Sequence, residues 1–156
     1  MIKIWANTII KLDIKALEYG LSEKVLKNNL NNRVLEIYDS LRKSNPNMKV
    51  LALTQSFIVN SDPMQKILSV DMFESNRFIV KDGVIVGYGI NIKDGEDKKR
   101  IAEKVIKKIG AKNIGVFADD YDDALLLKLK NLRFMLYKKK LERFIGAKDI
   151  IKLSFR

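Results

Sequence analysis

The chain has 156 residues, of which 47% are hydrophobic and 31% are charged, and this composition suits one soluble domain with its own core. It contains no cysteine and no histidine, which excludes disulfides, thiol catalysis, zinc–thiolate sites and the commonest general base. Any catalysis would therefore use Asp, Glu, Lys, Ser, Thr or Tyr. Since no apolar run is long enough to cross a membrane and the first residues lack a signal-peptide pattern, we expect a cytoplasmic protein.

The net charge of +11 is concentrated towards the end of the sequence, where residues 128–156 carry ten Lys or Arg against two acids. Such a segment could bind nucleic acid or attract phosphate compounds. No stacking motif of aromatic and basic residues accompanies the charge, so a solvated lysine-rich surface is favoured over nucleic-acid binding. Glutamine occurs only at 55 and 65 while Lys and Ile are abundant, a bias typical of thermophiles or of AT-rich genomes.

Helical spacing of apolar residues predicts helices over 12–30, with a break after Gly20, and over 33–43, where Asn32 is placed as the cap. Residues 1–4 could form a short strand. The next apolar run, 49–53, predicts a buried strand.

That strand is predicted to end at Thr54, Gln55 and Ser56, which places two hydroxyl groups at its carboxyl end. A helix after Pro63 and a short strand at 72–73 are expected to follow.

A hairpin is predicted over residues 77–86, because Lys81, Asp82 and Gly83 separate two apolar runs and Asp-Gly in that position is the strongest short-range hairpin signal. A helix with one apolar stripe is predicted over 98–109, where Lys98 would open it.

The last part of the chain predicts a buried strand over 114–118, an apolar helix-like run at 124–127 and a further strand over 133–137. A short basic helix at 139–145 and an apolar run at 150–153 follow. Alternating helices and strands favour an α/β fold with a parallel sheet and right-handed crossovers.

Four carboxylates stand directly after the strand 114–118, at Asp119, Asp120, Asp122 and Asp123. The carboxyl end of a strand is the usual ligand position in an open α/β sheet. Packing like charges together is unfavourable unless a cation is present, and a hard divalent ion with oxygen ligands, such as Mg²⁺, fits best. A solvated acidic loop explains the same pattern, and both interpretations stay open at this point.

Three features are expected to meet at one edge of the sheet, namely the hydroxyls of Thr54 and Ser56, the carboxylates of Asp119 and Asp123, and the ammonium of Lys98. A hydroxyl, an ammonium and metal-binding carboxylates suit phosphoryl transfer, which depends mostly on positioning and charge neutralisation.

In their order and spacing these motifs resemble the haloacid dehalogenase (HAD) superfamily, and within it the phosphoserine phosphatase-like branch. The segments that carry the resemblance are, in chain order, WANTIIKLDIKALEYGLSEKVL, VLALTQS, RFIVKDGVIVGYG, Lys98 and FADDYDD. The resemblance implies a three-layer, doubly wound, mostly parallel sheet with a β-hairpin. It further implies one domain over 1–156, with a remnant helical cap over 1–30 and a Rossmann-like core over 31–156.

The implied chemistry is Mg²⁺-dependent hydrolysis of a small phosphorylated molecule. The resemblance assigns phosphate binding to Thr54, with Gln55 and Ser56 beside it, and it assigns to Lys98 the neutralisation of charge on the nucleophile and the phosphate. Thr54 and Lys98 are thus the candidate catalytic residues.

For the metal, the resemblance implies Asp119 as a direct Mg²⁺ ligand and Asp123 as an outer carboxylate. The sequence departs from the family's pattern beside these residues, since Ala118 replaces a glycine, Asp122 an asparagine and Gln55 a small residue.

The family's first motif, Asp-x-Asp-x-Thr, supplies the aspartate nucleophile, and it does not occur in these 156 residues. Asp13 is the candidate stand-in, although Lys15 then occupies the acid/base position and the stretch fits a cap helix better. We therefore expect a chain truncated before its cap, with impaired hydrolysis and weak metal binding. A non-catalytic module that binds nucleic acid or an acidic partner through the basic C-terminal face is the alternative.

The missing motif also implies a missing central strand, which would leave two sheet edges with unpaired backbone groups. The first residues of the chain, a second copy of it, or a complementing N-terminal segment carrying the first motif could fill that place.

Overall fold

The computed structural model describes residues 30–58, 62–145 and 151–155, and the chain divides between Asn91 and Ile92 into two compact units. The first unit contains α1 (Asn32–Ser44), β1 (Leu51–Ile58), α2 (Asp62–Leu68), β2 (Met72–Lys81) and β3 (Val84–Gly89). The second unit contains α3 (Gly95–Ile109), β4 (Ile114–Ala118), β5 (Leu132–Lys138) and β6 (Ile151–Phe155). The strand and cap helices predicted over 1–29, and with them Asp13, lie outside the described residues.

The strands of the first unit form a three-stranded sheet in the order β1-β2-β3. Strand β1 pairs with β2 in parallel, and β2 pairs with β3 in antiparallel. At the start of α1 the cap is Asn31, one residue earlier than predicted, and its side chain accepts a hydrogen bond from the backbone N–H of Val34. The Tyr38 hydroxyl donates to the carbonyl of Leu68, which ties α1 to the end of α2.

The predicted hairpin is confirmed, and its loop consists of Asp82 and Gly83, since Lys81 pairs with Val84. Both loop residues have positive φ, 51° at Asp82 and 75° at Gly83, which is the conformation that matches the twist of the flanking strands. Strand β2 is longer than expected, because the predicted strand at 72–73 and the first hairpin strand are one continuous element.

The prediction that the first strand ends at residue 53 is wrong, because β1 continues to Ile58. The pairing with β2 does break there: Leu53 pairs with Glu74 and Phe57 pairs with Asn76, so the intervening residues of β1 bulge out of register. Beyond the bulge the ring of Phe57 packs against that of Phe78, with 5.3 Å between centroids, and this apolar contact stabilises the second part of the strand.

The second unit has a sheet in the order β4-β5-β6, and both pairings are parallel. The core of this unit is apolar. Fully or almost fully buried side chains in this unit include Ile92, Leu127, Met135, Leu136 and Leu141. The α/β class and the mostly parallel strand pairing predicted from the sequence are thus confirmed.

Between β4 and β5 the chain makes two 3-10 turns, Tyr121–Asp123 and Leu126–Lys128, in place of the predicted helix-like run. The apolar residues of that run are buried against the sheet, so burial rather than helix formation explains them. The predicted strand over 133–137 is confirmed as β5, and the predicted basic helix is the 3-10 helix Lys139–Phe144.

Among the described strands, β1 and β4 each pair with one neighbour. At the other side of the first sheet β3 also has one neighbour, and the side chains of Ile79, Val84 and Val86 are exposed on the hairpin. None of the helices in the described part of the chain is both long and apolar enough to span a bilayer.

Changing Gly83→Ala should destabilise the protein by about 1 kcal/mol, because a Cβ is disfavoured at positive φ. The matched control is Gly89→Ala, at a site where an added Cβ meets no atom within 4 Å. The free energy of unfolding of both variants is measured by urea denaturation. Equal stability of the two would contradict the turn geometry.

Candidate functional site

A buried ion pair lies at the carboxyl end of β4. The Nζ atom of Lys98 is 2.6 Å from Oδ1 of Asp123, and both residues are buried. In a region of low dielectric constant, neither charge would be tolerated without the other. Two of the site residues predicted from the sequence are therefore in direct contact.

The second oxygen of Asp123 closes the loop that follows β4. Oδ2 accepts hydrogen bonds from the backbone N–H groups of Asp119, at 3.0 Å, and Asp120, at 3.2 Å. The Asp120 side chain accepts from Tyr121 N–H at 2.8 Å in return, so the short turn is capped at its start. Both oxygens of Asp123 are thus occupied by groups of the chain itself.

Lys98 does not open its helix, contrary to the prediction. The helix α3 begins at Gly95, three residues before Lys98. Its cap is Asp94, whose side chain accepts hydrogen bonds from the backbone N–H groups of Glu96 and Asp97. Lys98 lies at the start of the second turn, where its own N–H bonds to the carbonyl of Asp94. The unfavourable interaction expected between Lys98 and the helix dipole is therefore reduced.

The first residue of α3 lies against the acidic loop. A Cβ built on Gly95 would overlap the backbone carbonyl oxygen of Asp122, so this close approach requires glycine. The contact brings the start of α3 onto the loop and thereby aims Lys98 at Asp123.

The two carboxylates that directly follow β4, those of Asp119 and Asp120, are exposed, and each has a lysine partner. Oδ2 of Asp119 is 3.5 Å from Nζ of Lys138, and Oδ1 of Asp120 is 2.8 Å from Nζ of Lys140. The hydrogen bond from Lys140 lowers the pKa of Asp120, and the same bond raises the pKa of Lys140. Both shifts favour the charged pair. The contribution of Asp120 to folding stability is therefore present above its unfolded-state pKa and is lost as pH falls through its folded-state pKa.

Aromatic rings extend this surface beyond the lysines. Nζ of Lys140 lies 4.9 Å from the ring centre of Tyr121, and the guanidinium of Arg143 lies 5.4 Å from the same ring. The ring of Phe144 meets that of Tyr121 edge to face at 5.9 Å. These contacts hold the 3-10 helix that follows β5 next to the acidic loop.

The described residues do not form a complete Mg²⁺ site. No group of three acidic, histidine or cysteine side chains that could hold a metal ion occurs among them. Asp119 has a side chain that is 68% exposed and could offer an oxygen, whereas Asp123 has both oxygens engaged. Since Mg²⁺ requires near-octahedral oxygen coordination, Asp119 alone would hold it weakly.

The predicted phosphate-binding residues belong to the first unit, in the bulge of β1. Oγ1 of Thr54 accepts a hydrogen bond from the N–H of Ser56 at 3.1 Å, and Ser56 is exposed. The carbonyl of Gln55 accepts from Nδ2 of Asn76 at 2.8 Å. The three residues therefore form a local hydroxyl-containing bend within β1 and do not stand at its end.

Sequence reasoning missed the residues that support the site from elsewhere in the chain. Asn76 is fully buried, and its side chain bonds to Gln55 and to the backbone N–H of Asn91. A lone asparagine inside a strand pattern was the available signal. For Lys138 and Lys140, the available signal was the run of lysines directly after the predicted strand 133–137, the next strand along the chain after the four acids.

No profile of a known protein family matches the chain, and no functionally curated protein matches it in sequence. Solved structures do match. A substrate-bound phosphoserine phosphatase is 20% identical over 93% of this chain and 66% of its own, with a TM-score of 0.66. A phosphoserine phosphatase with a phospho-aspartyl intermediate analogue is 21% identical over 95% and 68%, with a TM-score of 0.67. Phosphoserine phosphatase from T. onnurineus, in complex with NDSB-201, is 20% identical over 97% and 64%, with a TM-score of 0.57.

These likenesses show the fold. The chain spans 64 to 68% of the length of these three solved proteins. The resemblance drawn from the sequence motifs is confirmed at the level of the fold.

Changing Lys98→Met should destabilise the protein by roughly 3–5 kcal/mol, because it leaves the carboxylate of Asp123 buried without its cation. The control Lys104→Met removes an exposed lysine from the same helix and should have little effect. Urea unfolding measures both. Adding Asp123→Asn to Lys98→Met should restore part of the loss; strictly additive losses would contradict a direct pairing.

Changing Gly95→Ala should cost about 1–3 kcal/mol through overlap with the Asp122 carbonyl. An ordinary Gly→Ala change in a helix stabilises by about 1 kcal/mol, so the two outcomes have opposite signs. Glu96→Ala, at the exposed neighbouring position, controls for alanine in the first turn. A stabilising effect of Gly95→Ala in thermal unfolding would contradict the close contact.

Proposed function

The chain has the fold of the phosphoserine phosphatases of the HAD superfamily, and from this premise we propose that it is a phosphatase-type domain in which phosphomonoester hydrolysis is impaired. The observation that supports this most is the buried pair of Lys98 with Asp123 at the carboxyl end of β4. It holds an ammonium group near the carboxyl end of a strand, and phosphoryl transfer needs positive charge near the phosphate.

In this proposal the substrate is a small phosphorylated molecule. The hydroxyl of Thr54, with Gln55 and Ser56 beside it, binds the phosphate oxygens. Because Oγ1 of Thr54 already accepts the N–H of Ser56, the hydroxyl proton of Thr54 is directed elsewhere and can be donated to an anion. Lys98 neutralises phosphate charge, while Asp123 fixes the direction of its ammonium group.

When bound, Mg²⁺ would supply charge neutralisation for the phosphate and for the attacking group. Asp119 is the residue that would bind it directly, and Asp123 would act by shaping the loop. Asp119 by itself is a poor site, so we propose that the domain binds this ion weakly.

The proposed impairment has a second basis, the lack of a nucleophile motif in these 156 residues. Covalent phosphoryl transfer needs an activated side chain in line with the phosphorus atom, and the 156 residues contain no Asp-x-Asp-x-Thr motif. Asp13 stays the candidate stand-in. A complementing N-terminal segment or a second copy of the chain could supply the missing motif.

Phosphatase turnover with Mg²⁺ tests this proposal, on an aryl phosphate and on phosphoserine, for the unaltered chain and Asp119→Asn side by side. We expect no turnover that depends on Asp119. If Asp119 does take part in catalysis, Asp119→Asn should instead lower turnover on the order of 100-fold. That result would contradict impairment, and Asp13→Asn would then be the variant to measure.

Phosphate binding is tested separately from turnover. Inorganic phosphate should raise the thermal midpoint, because a ligand that binds the folded state stabilises it. Thr54→Val should remove this shift, whereas Ser44→Ala, an exposed hydroxyl at the end of α1, should retain it. If phosphate has no effect on the unaltered chain, the domain does not bind phosphate at these residues.

A further inference from the structure

We propose that three of the four carboxylates in the acidic loop after β4 are paired with lysines of the chain itself, and that Lys138 and Lys140 thereby weaken the binding of a divalent cation at Asp119 and Asp120. The inference deepens the proposed function by giving its weak metal binding a specific cause. It rests on that proposal only in taking Mg²⁺ as the ion.

The first observation is that three of the four carboxylates in the loop each pair with a lysine. Lys98 pairs with Asp123 at 2.6 Å, Lys138 with Asp119 at 3.5 Å and Lys140 with Asp120 at 2.8 Å. Like charges at this spacing require a cation nearby. For these three carboxylates, ammonium groups of the chain meet that requirement without a metal.

The second observation is that the fold builds this arrangement. Strands β4 and β5 are parallel, and their register pairs Ala118 with Tyr137. Asp119, which directly follows β4, is therefore level with Lys138, the last residue of β5. The lysine is beside the carboxylate because of the strand register, which the buried residues of β5 fix.

Lys140 is positioned by a different element, the 3-10 helix Lys139–Phe144. Leu141 of that helix is fully buried, which anchors the turn. The ring of Tyr121 lies against both Lys140 and Arg143. Arg143 adds a further positive charge at this surface, which also disfavours a divalent cation.

A metal ion at Asp119 would have to displace the ammonium of Lys138 and to accept the repulsion of Lys140 and Arg143. Asp123 offers it no oxygen, since Lys98 and two backbone N–H groups occupy that carboxylate. Removing the two outer lysines should therefore uncover Asp119 and Asp120 as oxygen ligands.

The experiment is a calorimetric titration of MgCl₂ into the substrate-free protein at constant ionic strength. Lys138→Gln/Lys140→Gln should bind Mg²⁺ on the order of tenfold more tightly than the unaltered chain. The control Lys107→Gln/Lys108→Gln removes the same charge from the last turn of α3, at the end opposite Gly95, and should bind like the unaltered chain. Lys138→Arg/Lys140→Arg keeps both charges and should bind the ion as weakly as the unaltered chain does.

Adding Asp119→Asn and Asp120→Asn to the Gln variant should abolish the gain, which locates the binding site. The inference is overturned if the Gln variant gains no affinity, or if the control double variant gains as much, since bulk charge would then be the cause. Thermal unfolding with and without MgCl₂ repeats the comparison by a second readout. Because no phosphate compound is present, either failure leaves the proposed phosphate chemistry to its own tests.

Discussion

The second unit depends on one interaction, the buried contact between the ammonium of Lys98 and the carboxylate of Asp123. Two charges removed from water are stable only when each satisfies the other and when the remaining hydrogen-bonding capacity is used. Asp123 meets both conditions by also accepting the N–H groups of Asp119 and Asp120. Helix α3, the end of β4 and the acidic loop are thereby connected through a single carboxylate. Gly95 permits this arrangement, because a larger residue there would overlap the backbone of Asp122.

The elements that could be predicted from the sequence are those with a local signal. The hairpin follows from Asp82 and Gly83, whose preference for positive φ is a property of the two residues themselves. The strand at 114–118 was predicted with its bounds intact, because a short apolar run closed by acids has few alternatives. The fold class followed from the alternation of such elements, and the likeness to phosphoserine phosphatase structures agrees with it.

What could not be predicted depends on residues far apart in the chain. Strand β1 continues through Thr54 and Ser56 because Asn76, 21 residues after Gln55, donates to its carbonyl. The same limit applies to the acidic loop. From the sequence alone the four neighbouring carboxylates fit either a cation site or a solvated loop. Nothing in their own segment indicates that Lys138 and Lys140 lie beside them, because the strand register that brings these lysines there is a tertiary property.

The hairpin described in the first unit has a consequence for the behaviour of the protein in concentrated solution. Strand β3 has one neighbour among the described strands, and its outward side chains Val84 and Val86 are apolar and exposed. A strand of this kind presents unpaired backbone groups beside a hydrophobic surface, which is the pattern that favours aggregation by edge-to-edge pairing. Lys81 faces Val84 across the turn and, with the net charge of +11, opposes such pairing by repulsion. High salt, which screens that repulsion, is therefore the condition that most endangers solubility.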